Sequence, residues 1–251
     1  MKCLDEERRF PRSGNGAFLF YRAKVESKLN GPGVYSCNMS FDFPKIYPIL
    51  DSSRIPAAGR AGFLERLGAS LAEAGVRLLE YRNKPGTEAE LLSDAAILRR
   101  AMPAGTVKLI LDDRADLVEQ TGFDGVHVDT GDAAPAEARR LVGRDRIVGT
   151  FGGSTEFLPG IFAEPVDYLA VGPVFTTTTK HTDRLPIGVE GVRRMRALAG
   201  PNRVITCAAG ITLETAPLVL EAGATAVAVS AAIFGAADPA AELRRWMAEL
   251  G

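Results

Sequence analysis

Eight short apolar runs punctuate the chain, at residues 46–50, 76–81, 107–111, 125–128, 146–150, 168–171, 203–207 and 226–229. Their length and β-branched content predict buried strands. Most of the intervening stretches carry helical periodicity instead, with apolar residues three and four apart. Phe63, Leu64, Leu67 and Leu71 form one such stripe, and Leu91, Leu92, Ile97 and Leu98 another. Strands alternating with helices imply parallel pairing through crossovers. Eight such units between residue 46 and the C-terminus predict a closed (β/α)8 (TIM) barrel of the α/β class. A doubly wound open sheet is the rival, but no strand runs into a Gly-x-Gly-x-x-Gly turn, so its dinucleotide-binding form has no support. The weakest predicted helix is the link at 151–165, which Gly152, Gly153, Pro159 and Gly160 interrupt.

Residues 1–43 stand outside this pattern and read as an irregular N-terminal extension, with the barrel at 44–251. The segment Arg8 to Gly16 is polar, basic and turn-rich, without the apolar core of a secretory signal. The patch Ala17-Phe18-Leu19-Phe20-Tyr21 could dock on the barrel or on a partner subunit, which leaves a homo-oligomer open. Met39 offers an alternative start just ahead of the first strand.

Composition narrows the class. The chain has 251 residues, 46% hydrophobic and 24% charged, enough for one large core. Its net charge of −1 gives no general attraction to nucleic acid or to an anionic membrane, so anion binding must be local. No run approaches the roughly 20 apolar residues of a membrane span. Cys3, Cys37 and Cys207 are odd in number and scattered, which argues against disulfides or zinc and for a reducing, cytoplasmic setting. Cys207, inside the seventh strand, reads as a small core residue.

In a barrel of this kind the chemistry sits at the C-terminal ends of the strands, and those ends are polar. The sixth runs into Gly-Pro and then Thr176-Thr177-Thr178-Thr179-Lys180, where hydroxyls and an ammonium suit phosphate oxygens. After the second strand, period-two alternation sets Glu80, Arg82 and Lys84 on one side, toward the interior or its mouth. Such charges are costly there unless they bind each other and an anion. Strand three ends Asp112-Asp113-Arg114, and Asp132 follows strand four, so the Asp113 and Asp132 carboxylates could converge on a hard cation. Capping of a helix near Arg114 is the competing role for Asp112 and Asp113. Ser230 and Ala231 begin a short helical turn after strand eight, a frequent phosphate site in barrels. Gly210 after strand seven would let a phosphate approach the backbone.

These residues together resemble the thiamine-phosphate synthase family, over residues 46 to about 248. The carriers are Glu80-Tyr81-Arg82-Asn83-Lys84, Asp112 to Leu117, Asp124-Gly125-Val126-His127-Val128, Asp132, Gly172 to Lys180, Gly210-Ile211 and Ala222-Gly223-Ala224. The resemblance implies a (β/α)8 barrel that joins a pyrimidine diphosphate to a thiazole phosphate and releases pyrophosphate, with Mg2+, through a carbocation-like centre. Its ligands are thus small phosphate-bearing molecules. It implies that Arg82, Lys84 and Lys180 hold the diphosphate and act in catalysis, and that Glu80 lies near the pyrimidine, where the family often has glutamine. Asp113 and Asp132 would hold Mg2+. Thr177 and Thr179 would contact the thiazole phosphate, with Gly210 and the backbone N–H groups of Ser230 and Ala231. Asp112 falls at a substrate contact where the family usually has asparagine; an extra carboxylate there needs the metal or Arg114 to offset it. Phe151 falls where the family has serine, with Thr150 the nearest hydroxyl. Ala209-Gly210 replaces a double glycine, and the eighth-strand serine is displaced to Ser230.

Two alternatives stay in play. A thiazole tautomerase shares the barrel, but its histidine after strand five has no equivalent in Phe151-Gly152-Gly153-Ser154. A non-catalytic barrel binding a thiamine precursor or a partner should have lost its charged mouth, which this chain keeps. His127 reads as a packed barrel residue more than a base, and His181 as a solvated one.

Overall fold

A computed structural model of the chain describes residues 41–177 and 183–251. Eight parallel strands close into a barrel in chain order, the last pairing with the first. They are β1 (Ile46–Asp51), β2 (Leu78–Arg82), β3 (Lys108–Asp112), β4 (Gly125–Val128), β5 (Ile147–Gly153), β6 (Tyr168–Val171), β7 (Val204–Ala208) and β8 (Ala226–Val229). The helices among the described residues are α1 (Arg60–Glu73), α2 (Glu88–Ala101), α3 (Val118–Thr121), α4 (Pro135–Val142), α5 (Gly188–Ala199), α6 (Ala216–Glu221), α7 (Ala231–Phe234) and α8 (Pro239–Leu250). Between β5 and β6 the described chain has one 3-10 turn, Ile161–Ala163, and no α-helix. The glycines and proline that interrupt the periodicity there account for it.

Local sequence sets the helices. Thr87 caps α2 by accepting from the Glu90 N–H at 3.2 Å, Glu88 and Glu90 sit in its first turn, and Arg99 and Arg100 in its last. The apolar face of α1 buries Leu64, Leu67 and Leu71. Gly68 lets α1 press on α2, since a Cβ there would stand 2.7 Å from the Ala101 Cβ.

The strands' two faces feed two cores. Outward residues pack under the helices, among them Leu79, Leu109, Val126 and Leu169. Inward residues fill the barrel: Tyr47, Leu78, Ile110, Ile147, Tyr168 and Ala226, closed from below by Phe43. Phe43 meets the Tyr47 and Tyr168 rings at centroid distances of 5.8 and 5.3 Å. Gly149 leaves room for the Tyr168 ring, whose Cζ would lie 1.9 Å from a Cβ at that position. Large rings from β1 and β6 thus occupy the lower interior and leave the upper interior to polar side chains. Cys207 is fully buried and its thiol is pushed up to about 12 by burial, as a core residue's should be.

Candidate active site

Above the aromatic layer the inward positions turn polar. Glu80 is only 3% exposed. It accepts a hydrogen bond from the Tyr47 hydroxyl at 2.7 Å, and Tyr47 lies 2.9 Å from the Tyr168 hydroxyl. The Tyr168 hydroxyl in turn lies 3.0 Å from Nδ1 of His127, whose ring stacks on it at 5.6 Å between centroids. Four strands contribute to this chain of hydrogen bonds. Burial raises both tyrosine pKa values well above the ordinary range, and the Glu80 charge adds to it. The chain forms the floor of a cavity of about 170 Å3, whose wall includes Arg82, Asp112, Phe151, Thr177 and Thr206.

The next layer is charged. Arg82 forms a short ion pair with Asp51 at the end of β1. Its Nε lies 3.5 Å from Oδ2 of Asp112, and Lys84 lies 3.6 Å from the same oxygen. Lys84 also pairs closely with Asp113. Burial alone would raise the Asp51 carboxyl, but hydrogen bonds from Ser53 and the Arg82 charge hold it below its ordinary value. Asp112 goes the other way. Burial first, then the Glu80 and Asp113 charges, push it well above the usual carboxylate range, and Lys84 and Arg82 only partly counter them. Burial and a carboxyl–carboxyl contact with Asp113 also raise Asp132. For Lys84, burial alone would lower the pKa, but the carboxylates around it raise it.

The Asp113 and Asp132 carboxyls thus lie close enough to interact, with Asp112 beside Lys84. Asp113 holds a positive φ of 66°, uncommon for a side-chain-bearing residue, while its N–H donates to the His127 carbonyl at 2.8 Å. Oδ1 of Asp113 and Oδ2 of Asp112 are buried without a hydrogen-bond partner. Crowded carboxyls with orphaned oxygens beside an ammonium suit a small divalent cation completed by ligand oxygens and water. Among the described residues no group of three or more His, Cys, Asp or Glu side chains could hold a metal by itself.

Two expectations about this corner need correction. Neither aspartate caps the 3-10 turn Ala115–Leu117 with its side chain. Arg114 does not offset Asp112, because it turns outward to Glu88 and Asp116, at 2.7 and 2.6 Å. Arg82 and Lys84 take that role.

A second cavity, about 510 Å3, opens between the ends of β7 and β8, where Gly210, Ser230, Ala231 and Thr177 line it. Gly210 has φ 67°, and a Cβ there would stand 2.4 Å from the Thr176 carbonyl oxygen, so only glycine fits. Ala209 carries φ 78° with a side chain. Ser230 precedes α7, and its Oγ is buried without a partner. The two cavities share Ile49, Arg82, Thr177, Ala208, Ala209 and Ala228, so they adjoin.

The barrel mouth thus brings together Glu80, Arg82, Lys84, Asp112, Asp113 and Asp132, and beside them Thr177, Gly210, Ser230 and Ala231. Thr179, Lys180 and His181 lie outside the described residues, as do the patch at 17–21 and Met39. Sequence reasoning missed Tyr47, Asp51, Tyr168, Thr206 and Arg184. Inward parity along the strands marks the first four. Arg184, whose guanidinium lies 4.1 Å over the Phe151 ring, has no such signal.

Fold and site together define a parallel barrel whose mouth places cations and paired carboxylates beside a second cavity lined by Gly210, Ser230 and Ala231. A family model described as thiamine monophosphate synthase matches residues 46–233. A thiamine-phosphate synthase of Koribacter versatilis is 39% identical over 188 residues, 75% of this chain and 88% of the relative. One from Agrobacterium fabrum is 35% identical over 178 residues, 70% of this chain and 81% of the relative. In fold, the chain is similar to the thiamine phosphate pyrophosphorylase of Pyrococcus furiosus, with a TM-score of 0.68, 24% identity, and coverage of 82% of this chain and 98% of that one. The chain belongs to the thiamine monophosphate synthase family.

Proposed function

We propose that this chain makes thiamine phosphate by joining 4-amino-2-methyl-5-(diphosphooxymethyl)pyrimidine to thiazole phosphate, with release of pyrophosphate. The observation that carries the reading is the pair of adjoining cavities with Arg82 in their common wall. A condensation of two phosphate-bearing molecules needs two ligand sites side by side and positive charge where the leaving group departs.

In this reading the bond from the pyrimidine methylene carbon to the diphosphate oxygen breaks, and its electron pair leaves with pyrophosphate. Arg82 and Lys84 neutralise that charge, and Lys180 is assigned with them by family resemblance. The thiazole nitrogen, held nearby by its phosphate among Thr177, Thr179, Gly210, Ser230 and Ala231, donates its lone pair to the same carbon. No proton transfer or protein nucleophile is needed, so orientation carries the second half of the reaction. Asp113 and Asp132 would hold Mg2+, which would supply further positive charge to stabilise the departing pyrophosphate. Glu80 faces the pyrimidine, and the buried Asp112 stands beside the diphosphate, against Arg82 and Lys84. Phe151 stands in the cavity wall where a tautomerase reading requires a histidine.

The test is incubation of the pure protein with both precursors and Mg2+, measuring thiamine phosphate and pyrophosphate in equal amounts. No product from protein that binds both precursors would overturn the reading. A chain beginning at Met39 keeps Phe41 and Phe43 under the barrel and should keep its turnover, since none of the site residues precedes Tyr47.

A further inference from the structure

The hydrogen-bonded chain on the cavity floor has a direction, which follows from counting protons. A carboxylate only accepts, so the hydrogen bond at 2.7 Å between Tyr47 and Glu80 uses the single Tyr47 proton. The Tyr47 oxygen can then only accept from Tyr168, 2.9 Å away, which uses the single Tyr168 proton. What remains to Tyr168 is a lone pair, and 3.0 Å from it stands Nδ1 of His127. That nitrogen must carry the hydrogen. In a neutral imidazole the other nitrogen, Nε2, is then a bare acceptor. Nε2 has no hydrogen bond among the described residues, and His127 is half-buried in the wall of the cavity.

We infer that Glu80, through Tyr47 and Tyr168, holds His127 as the Nδ1–H tautomer, so that its Nε2 accepts a hydrogen bond from the exocyclic amino group of an aminopyrimidine in this cavity. The inference rests on the proposed substrate for the identity of the ligand, and on the floor geometry alone for the tautomer. His127 touches the ligand; Tyr47 and Tyr168 are positioning residues that act through it. The contact also has a chemical use. An amino group whose N–H is held by an acceptor donates more electron density to its ring, which favours the cation left when the diphosphate departs. Gly149 and the ring of Phe43 fix the Tyr168 ring from beside and below, so the relay is rigid without ligand.

The chain has only two histidines, His127 and His181, so imidazole 15N spectra of the full-length protein can be assigned with a His181→Gln variant. The expected spectrum of His127 at neutral pH shows a protonated Nδ1 and an unprotonated Nε2, and Tyr168→Phe, which keeps the ring but removes the acceptor, abolishes that pattern. Tyr47→Phe should also abolish it, because Tyr168 regains a free proton to give to Nδ1. An Nε2–H tautomer or a doubly protonated ring in the unsubstituted protein overturns the inference. 4-Amino-2-methylpyrimidine should shift the Nε2 resonance, while 2-methylpyrimidine leaves it in place. Failure of the amine to bind, or its binding without a shift, overturns the contact. In turnover, Tyr168→Phe should raise KM for the pyrimidine diphosphate about three- to tenfold, the worth of one neutral hydrogen bond, and leave KM for the thiazole phosphate unchanged. The two readings fail separately. Protein that makes thiamine phosphate with His127 in the Nε2–H form sinks this inference alone; protein with the Nδ1–H form and no product sinks the proposed function alone.

Discussion

The two ends of the barrel treat charge in opposite ways. At the bottom, arginines close a repeating set of staples. Arg99 of α2 donates to the Met102 and Val107 carbonyls and to Asp124, which also accepts from the Leu109 N–H at 3.0 Å. Arg139 of α4 donates to the carbonyls of Gly143 and Arg146 and to Asp167, which accepts from the Val148 N–H at 2.8 Å. Arg196 of α5 repeats the pattern with Gly200, Arg203 and Thr225, and the Thr225 hydroxyl accepts from the Ile205 N–H at 3.1 Å. Each staple ties the end of a helix to the starts of the next two strands. At the top, the buried side-chain atoms without a hydrogen bond among the described residues are Asn83 Nδ2, Asp112 Oδ2 (which has only the longer ion pairs to Arg82 and Lys84), Asp113 Oδ1, Thr206 Oγ1 and Ser230 Oγ. All belong to the cavities or the loops beside them. The difference teaches where stability has been given up: unsatisfied buried polar atoms each cost about 1–3 kcal/mol, and they sit where a ligand can satisfy them.

Substitutions at the two ends should therefore separate turnover from stability. The largest effect is expected at the top. Arg82→Ala should lower turnover about 100- to 1000-fold, the scale of a lost charge contact in a transition state, and, because it strips Asp51 of its cation, should also cost about 1.5–3 kcal/mol of stability. A large stability loss with ordinary turnover would reverse the comparison. At the bottom, Asp167→Ala strands the Arg139 guanidinium and the Val148 N–H and should cost about 3 kcal/mol of stability. The protein that stays folded should turn over normally; equilibrium urea unfolding beside an active-site titration reads both.

A smaller effect sharpens the contrast through pH. Burial and the Glu80 charge raise the Asp112 pKa, so its folded-state value lies above the unfolded one. Its relative stabilisation is complete below the unfolded value near 3.8 and is lost as pH rises through the folded value. Asp112→Asn should accordingly be more stable than the parent at pH 8, and the gap should close as pH falls toward 4. A gap independent of pH would show that Asp112 is not the strained carboxyl. Asp51, held low by Ser53 and Arg82, has the reverse dependence and stabilises the fold above its unfolded pKa. The smallest effect is expected at Ala209, whose φ of 78° suits glycine. Ala209→Gly should gain no more than about 1 kcal/mol, because relief of strain is partly offset by unfolded-chain entropy. A measurable loss in thermal unfolding would mean that the methyl group packs usefully between the two cavities.

Much of this molecule is legible in its amino-acid order. Apolar runs of strand length, separated by helical stripes, determine a parallel barrel because both periodicities are local and each demands a particular partner face. Parity along β2 places Glu80 and Arg82 inward for the same reason, and the glycines and proline at 152–160 remove the helix between β5 and β6. The pairing of charges is not legible. Arg82 could have met any carboxylate at the mouth, and its choice of Asp51 depends on the register that sets Asp51 beside it across β1 and β2. Arg114 adjoins Asp112 in sequence yet turns outward to Glu88. The hydroxyls of Tyr47 and Tyr168 are separated by 121 positions and meet only because the barrel closes and Gly149 vacates the space for a ring. Sequence determined which groups face the interior, since that needs only the alternation of one strand; tertiary structure decided which of them touch, since that depends on closure, register and the volume left by residues on other strands.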